Sequence, residues 1–219
     1  MANDTTRSME RNRDRSDIRM FEIGYGIAQD EYSEYSEKIR RETESERLVN
    51  IAKKNGLFLP LKDIRQIGMK HGYRSGESVV YLNPENNRVY KIKDPYAKLA
   101  IKRGVMPEDA IYEHLVHNYL FPEVKYTFEG ISEEMGDVRI VLSQEYIESV
   151  VQPTREQVVT ALAQRGLVPE DDYSFGNEYV SVTDVEGDNT LIGADGKLYF
   201  IDPIIRFKKT LKEILEFIG

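Results

Sequence analysis

The sequence predicts an α+β fold, and three observations support that prediction. Runs rich in β-branched and aromatic residues, such as Ser78–Tyr81 and Arg88–Ile92, are separated by turn-forming residues. Stretches of helix formers with apolar residues at helical spacing lie before and after these runs. The 219 residues, 40% hydrophobic and 31% charged, suffice for one medium domain or two small lobes with a real core.

Composition excludes several classes of protein. The net charge of −8 argues against a general nucleic-acid or anionic-membrane binder. The absence of cysteine excludes disulfides and thiolate chemistry. No apolar run approaches the ~20 residues that span a bilayer, and the N-terminus has no apolar signal core. We therefore expect a cytoplasmic protein with no membrane partner.

Residues 1–56 are expected to form a polar tail and then a helical extension. Residues 1–20 mix Arg with Asp and Glu, which favours a solvated tail over an RNA-binding arm. From Asp30 onward the composition turns to helix formers, and Asn55-Gly56 is a good helix stop. We expect one or two helices here, packed on the outside of the domain formed by the rest of the chain.

Residues 57–146 predict a sheet of four or five strands with one helix inserted. The connector Asn83–Asn87 consists of turn formers, so the two runs around it should pair as a hairpin. A helix should begin near Pro107, since proline is favoured in the first turn. Lys125–Gly130 and Arg139–Gln144 read as two further strands.

The strand V-Y-K-I-K places Lys91 on the same face as Val89 and Lys93. An isolated lysine at this position would be read as an edge-strand residue that points to water. Here a helix comes after the strand, and its Glu113 can point toward the sheet. Lys91 and Glu113 could therefore form an ion pair with a functional role, or they could be an ordinary ion pair at the protein surface.

Residues 147–219 mix short helices and strands. Thr154-Arg155-Glu156-Gln157 has the form of a capping box and opens a helix that should stop at Gly166. Tyr179–Val182 reads as a strand that leads directly into Asp184, and Lys208–Phe217 reads as a short terminal helix.

The stretch Asn189–Asp202 predicts a hairpin around the pair Asp195-Gly196. If these two residues form the turn, Asn189 lies opposite Asp202. Opposite residues in an antiparallel pair lie about 4.5–5.5 Å apart. The hairpin would then place an amide oxygen beside a carboxylate, which is a donor set suited to Mg²⁺ together with phosphate oxygens and water.

Asp184, five residues before Asn189, completes a pattern that resembles the catalytic core of the protein-kinase-like superfamily. The resemblance implies that Asp184 aligns the acceptor hydroxyl and that Asn189 and Asp202 hold Mg²⁺. It also implies that Lys91, oriented by Glu113, holds the nucleotide phosphates. Taken without the resemblance, Asp184, Asn189 and Asp202 could be turn residues at strand ends.

From about residue 57 onward the chain looks like a reduced, bilobal kinase fold. The strand V-Y-K-I, the F-P after the helix and the ending I-D-P-I-I-R look most like the kinase-like domain of bacterial polyvalent proteins, which phages and conjugative elements carry. Aminoglycoside phosphotransferase-type kinases are more distant. The resemblance implies an antiparallel-sheet N-lobe over residues 57–146 and a small, mainly helical C-lobe over residues 147–219, with ATP between them.

The same resemblance implies the nucleotide-binding residues. Gly76 would lie in the turn that covers the phosphates, and Glu145, Tyr146 and Ile147 would form the hinge whose backbone binds the adenine edge. The chain departs from the family pattern here, because Gly76 is the one clear glycine of that turn.

Two further departures concern the catalytic residues. Val182-Thr183-Asp184 stands where protein kinases have H-R-D, and the metal-binding Asp lies in I-D-P rather than D-F-G. Only 17 residues come after Asp202, which leaves no room for a peptide-docking lobe. The acceptor is therefore expected to be small or unusual.

Three functions stay open. The chain could be an ATP- and Mg²⁺-dependent phosphotransferase with an unidentified acceptor, a nucleotide-binding pseudokinase that serves as an interaction module, or an enzyme that transfers AMP with the nucleotide reversed. A zinc site at His114 and His117 is disfavoured, because no second ligand pair has suitable spacing.

Overall fold

The computed structural model describes residues 37–66, 69–74, 77–97 and 107–219. The chain forms two compact units. Of the described residues, the first comprises those up to Leu115 together with Tyr126–Tyr146, and the second comprises Val116–Lys125 and Ile147–Gly219. The described residues contain five α-helices, which are α1 (Glu37–Lys54), α2 (Leu61–Gln66), α3 (Pro107–Leu120), α4 (Arg155–Ala163) and α5 (Leu211–Ile218).

The first unit is built on a five-stranded antiparallel sheet of order β1-β2-β3-β5-β4. The predicted sheet of four or five strands is thus confirmed. Its strands are β1 (Met69–Arg74), β2 (Ser78–Asn83), β3 (Arg88–Lys93), β4 (Thr127–Glu134) and β5 (Asp137–Glu145).

The predicted β2–β3 hairpin is confirmed, with Tyr81 opposite Tyr90 and Asn83 opposite Arg88. The Asn83 side chain accepts a hydrogen bond from the backbone N–H of Glu85 at 2.9 Å, which stabilises the turn locally. One face of this hairpin packs into a small apolar core with helix α2. The buried members of that core are Ile64, Tyr81, Tyr90, Ile92 and Val141.

The expected helical extension is present as α1, which lies against β4 and β5. It ends at Lys54, and Gly56 adopts φ +67, as the predicted helix stop requires. The chain then joins the sheet, because Ile131 exchanges backbone hydrogen bonds with Leu57 and Leu59 at 2.9 and 2.8 Å. Residues 1–36, which include the predicted polar tail, lie outside the described part.

The second unit contains two small sheets, a three-stranded one of order β11-β10-β6 and a four-stranded one of order β12-β9-β8-β7. Their strands are β6 (Ser149–Val151), β7 (Val168–Pro169), β8 (Ser174–Gly176), β9 (Val180–Thr183), β10 (Thr190–Gly193), β11 (Leu198–Phe200) and β12 (Ile204–Phe207).

The expectation of a mainly helical second lobe is therefore wrong for this unit, all of whose residues are described. Seven short strands accompany α4, α5 and the last turns of α3. Three pairings, β7–β8, β8–β9 and β10–β11, join neighbouring segments antiparallel, whereas β6–β10 and β9–β12 join segments far apart in the chain. Such long-range pairings leave no local signal in the sequence. The division of the chain at residues 56 and 146 into three parts stays a prediction.

Helix α4 begins at its predicted capping box, whereas α5 begins at Leu211 rather than at the predicted Lys208. Thr154 caps α4 and Thr210 caps α5, each through a reciprocal hydrogen-bond pair with the side chain three residues on. The core of this unit is centred on three buried phenylalanines, Phe121, Phe175 and Phe200. Val182 and Val185 are buried in the same core, so both sides of Asp184 are anchored.

Candidate active site

Asp184 lies in a turn that strand β9 and the core hold in an uncommon conformation. It comes directly after the end of β9 and adopts φ +58, the left-handed region that residues other than glycine rarely occupy. Val185 behind it is buried, and its carbonyl accepts a hydrogen bond from the Thr190 hydroxyl at 2.7 Å. The carboxylate of Asp184 is exposed. Aspartate adopts this region more readily than most residues, and the turn leaves its side chain accessible to solvent.

A hydrogen bond to Glu186 also holds the middle of the loop from Asp184 to Asn189. Glu186 accepts a hydrogen bond from the guanidinium of Arg155 at 2.5 Å, and the same guanidinium donates to the carbonyl of Asp172 at 2.6 Å. A short 3₁₀ turn, Gly187–Asn189, then leads into β10. The loop therefore has a defined course on both sides of its exposed carboxylate.

The hairpin at Asp195-Gly196 is present, but the predicted register is wrong by one residue. Ile192 pairs with Leu198, and the N–H of Gly193 donates to the carbonyl of Lys197 at 3.0 Å. The loop thus has three residues, with Gly196 at φ +76, rather than two. Asp195 favours this form, because its carboxylate accepts the backbone N–H of Lys197 at 3.1 Å.

The register places Ile201, not Asp202, opposite Asn189. The backbone confirms this, since the N–H of Ile201 donates to the carbonyl of Asn189 at 2.8 Å. The cross-strand argument for neighbouring amide and carboxylate oxygens therefore does not hold.

A different pair of strands brings Asp202 toward Asp184. Strand β12 pairs with β9, with Ile204 opposite Thr183. Asp184 is the residue after Thr183, and Asp202 lies two residues before Ile204, so both leave the same end of that pair. Because Asn189 is bonded to Ile201, the residue before Asp202, the three site residues lie on chain segments that meet at one end of the second unit. The roles assigned to them stay predictions.

The side chains predicted to hold the metal suit Mg²⁺ better than they suit a metal ion bound by protein ligands alone. Asn189 and Asp202 offer one amide and one carboxylate oxygen, and Mg²⁺ takes one or two such protein ligands beside phosphate oxygens and water. In the described ranges no group of three or more His, Cys, Asp or Glu side chains is arranged to hold a metal ion. When bound, Mg²⁺ would neutralise charge on the phosphates of a nucleotide.

In the first unit, Glu113 on α3 forms an ion pair with Lys93 on β3. The distance from Lys93 Nζ to Glu113 Oε2 is 3.0 Å, and the two side chains are 14% and 12% exposed. Lys93 lies two residues after Lys91 on the same strand face, as the sequence indicates. The expected pairing of Lys91 with Glu113 stays a prediction.

Lys91 is itself buried and donates a hydrogen bond to the hydroxyl of Tyr126 at 2.7 Å. Its Nζ lies 5.0 Å from the centroid of the Tyr126 ring. Sequence reasoning missed Tyr126, because it is 35 residues away from Lys91 and belongs to no recognisable motif. Lys93 could have been found, because its alternation with Lys91 is visible in V-Y-K-I-K.

The predicted hinge residues Glu145, Tyr146 and Ile147 lie at and just beyond the end of β5. The Tyr146 N–H donates to the carbonyl of Asn87 at 2.9 Å, and its carbonyl accepts the Asn87 side-chain amide at 3.4 Å. The backbone of Tyr146 is thus paired within the first unit. Gly76, predicted in the phosphate-covering turn, lies outside the described residues. Adenine and phosphate binding by these residues stay predictions.

A strand lysine, a helix glutamate and an Asp–Asn–Asp set in this order are the parts of a kinase-like phosphotransferase. Comparison with known families agrees, because residues 41–209 match the serine/threonine/tyrosine kinases found in polyvalent proteins. The match covers more than half of the chain, and the protein belongs to this family. The resemblance inferred from the sequence is thereby confirmed.

Comparisons with the curated proteins and with the solved structures gave no match. Within the part of the chain that the structure describes, every helix is too short or too polar to cross a membrane.

Proposed function

We propose that this protein is an ATP- and Mg²⁺-dependent phosphotransferase that acts on a hydroxyl of an unidentified acceptor. The family match over residues 41–209 carries this proposal, because it includes every residue to which the proposal assigns a role. Those residues are Lys91, Glu113, Asp184, Asn189 and Asp202.

In this proposal each residue has one task. Lys91, oriented by Glu113, binds the α and β phosphates of ATP, and Asn189 and Asp202 hold Mg²⁺. Asp184 aligns the acceptor hydroxyl and receives its proton. Two observations support the task of Asp184, namely its exposed carboxylate and its anchored, left-handed backbone. The adenine edge is bound by the segment Glu145–Ile147.

The test is turnover of labelled ATP, including autophosphorylation, by the purified chain and by Asp184→Ala and Asp202→Ala. Both substitutions should reduce transfer by about 10²-fold or more, because positioning and charge stabilisation are the main catalytic terms. Asp188→Ala, which changes a neighbouring exposed carboxylate of the same loop, is the matched control and should retain transfer. Activity that survives both Asp184→Ala and Asp202→Ala would overturn the assignment.

Label position distinguishes the two possible transfers. ATP labelled in the γ-phosphate should label the acceptor if the enzyme is a phosphotransferase. Label that instead reaches the acceptor only from the α-phosphate would show transfer of AMP and would overturn the proposal.

A second candidate, a pseudokinase that binds nucleotide or nothing and serves as an interaction module, is favoured by one observation. In the observed register of the hairpin, Ile201 and not Asp202 lies opposite Asn189. Thermal unfolding with ATP, with and without Mg²⁺, tests whether nucleotide and metal bind, and the labelled-ATP assay tests whether a phosphoryl group is transferred. Ligand at about 100 times its dissociation constant should add about 2.7 kcal/mol of stability. A shift that requires Mg²⁺ supports a working metal site, whereas no shift in either condition supports an interaction module.

The setting can be inferred from the same family. We propose that the chain acts in the cytoplasm of bacteria that harbour a mobile genetic element, because the sequence resembles polyvalent proteins that phages and conjugative elements carry.

A further inference from the structure

The proposed function assigns Lys91 to the phosphates of the nucleotide. Lys91 donates a hydrogen bond to an uncharged group, the Tyr126 hydroxyl. Lys91 is 7% exposed and Tyr126 is 3% exposed, so their hydrogen bond is almost fully withdrawn from water. A buried ammonium group requires hydrogen bonds to offset the loss of hydration. The Tyr126 hydroxyl supplies one of them at 2.7 Å.

The neighbouring lysine binds a carboxylate. Glu113 accepts a hydrogen bond from Lys93 at 3.0 Å, which joins helix α3 to strand β3. The contact that Tyr126 makes with Lys91 differs in kind, because a phenol carries no charge. Its hydroxyl can orient the ammonium group without neutralising it, and that charge is what a phosphate would recognise.

The Tyr126 ring is itself fixed in place. It meets the His114 ring edge-on, with centroids 4.9 Å apart and an interplanar angle of 83°. His114 is buried on α3, and its Nδ1 contacts the carbonyl of Ala110. A hydroxyl on so constrained a ring has little freedom to move, so the atom it binds is also held.

We infer that Tyr126 is a positioning residue that orients the Lys91 ammonium group toward the phosphates of the nucleotide. The inference rests on the proposed function, because it assumes that Lys91 meets those phosphates. Its consequence is specific, since loss of the hydroxyl should impair recognition of phosphate and leave recognition of the nucleoside unchanged.

The test measures binding of ATP and adenosine to wild type, Tyr126→Phe and a control variant by titration calorimetry. Tyr90→Phe is the control, because Tyr90 is adjacent to Lys91 on β3, is similarly buried, and has a hydroxyl bonded to the Asn86 amide instead. Tyr126→Phe should weaken ATP about tenfold, which corresponds to about 1.4 kcal/mol. Adenosine should bind equally to all three proteins, and Tyr90→Phe should bind ATP as wild type does.

A double variant supplies a second check. Adding Tyr126→Phe to Lys91→Met should cause no further loss of ATP affinity, because the hydroxyl acts only through the lysine. If Tyr126→Phe fails to fold, replacement of Tyr126 by 3-fluorotyrosine keeps the ring and weakens the hydroxyl as an acceptor. A smaller loss of ATP affinity in the same direction is then expected.

The outcomes separate the inference from the proposed function. Unchanged ATP affinity in Tyr126→Phe, or an equal loss for ATP and adenosine, overturns the positioning role while nucleotide binding by wild type stands. Wild type that binds neither ligand overturns the proposed function, and the inference falls with it.

Discussion

The ion pair between Lys93 and Glu113 should have a coupling free energy of about 2 kcal/mol in the stability of the first unit. At the observed N–O distance of 3.0 Å, the Coulomb energy of two unit charges is about 1.4 kcal/mol in water and about 5.5 kcal/mol at an effective dielectric constant of about 20. The side chains are only 14% and 12% exposed, so screening is incomplete and desolvation offsets part of the gain. Hydrogen bonds to charged groups contribute about 1.5–3 kcal/mol net, which sets the expected size.

A double-mutant cycle measures this term. The free energy of unfolding in urea is compared among wild type, Lys93→Met, Glu113→Gln and the variant with both changes. The coupling free energy between the two positions should be about 2 kcal/mol. Breaking the pair should also loosen α3 from the sheet, which faster hydrogen exchange of amides in that helix would reveal.

The chain offers a matched control for burial. Lys197 and Asp195 lie at nearly the same distance, 3.1 Å, but are 71% and 42% exposed. A cycle of Lys197→Met and Asp195→Asn should show no measurable coupling, because exposed pairs are screened by water. Equal coupling in the two cycles, or none for Lys93 and Glu113, would refute the reasoning from burial.

Three further outcomes are expected. Gly130→Ala should lower the free energy of unfolding in urea by about 3 kcal/mol or more, because an added Cβ would lie 2.3 Å from the Leu57 carbonyl oxygen. Gly136→Ala, also at positive φ but in open space, should lower it by only about 1 kcal/mol. Equal costs would contradict this account. Thr154→Ala should destabilise by about 1 kcal/mol through loss of the α4 cap, and Thr154→Ser should restore most of it. The hydrogen bond from Lys208 holds the pKa of Glu170 below its ordinary 4.5, so the stabilisation that this carboxylate gives is present above pH 4.5 and lost as the pH falls through the lowered pKa. Urea midpoints of wild type and Glu170→Gln should accordingly differ at neutral pH and converge in acid.

Elements with strong local signals were predictable from the sequence. Helix α4 begins where its capping box indicates, since the box needs only four consecutive residues, Thr154 to Gln157. The β2–β3 hairpin was indicated by turn formers between two β-rich runs. The family assignment also came from local features, namely the spacing of Asp184, Asn189 and Asp202 and the strand that contains Lys91.

The prediction was wrong where a shift of one residue in strand register decides which residues lie opposite each other. The pair Asp195-Gly196 marks the hairpin turn, yet the same residues fit a two-residue or a three-residue loop. Backbone and side-chain hydrogen bonds to Lys197 select the longer loop, and that shift moves the partner of Asn189 from Asp202 to Ile201. A local motif cannot determine register when two turn types are compatible with it.

The sequence by itself determined the order of the chemical groups along the chain. It also determined the local elements that carry them, because caps, turns and periodicity depend on neighbouring residues. Only the tertiary structure decided which groups meet. It paired Glu113 with Lys93, placed the Tyr126 hydroxyl on Lys91, and brought Asp202 toward Asp184 through the pairing of β12 with β9. These contacts join residues far apart in the chain, and they depend on packing and strand register that no short stretch of sequence specifies.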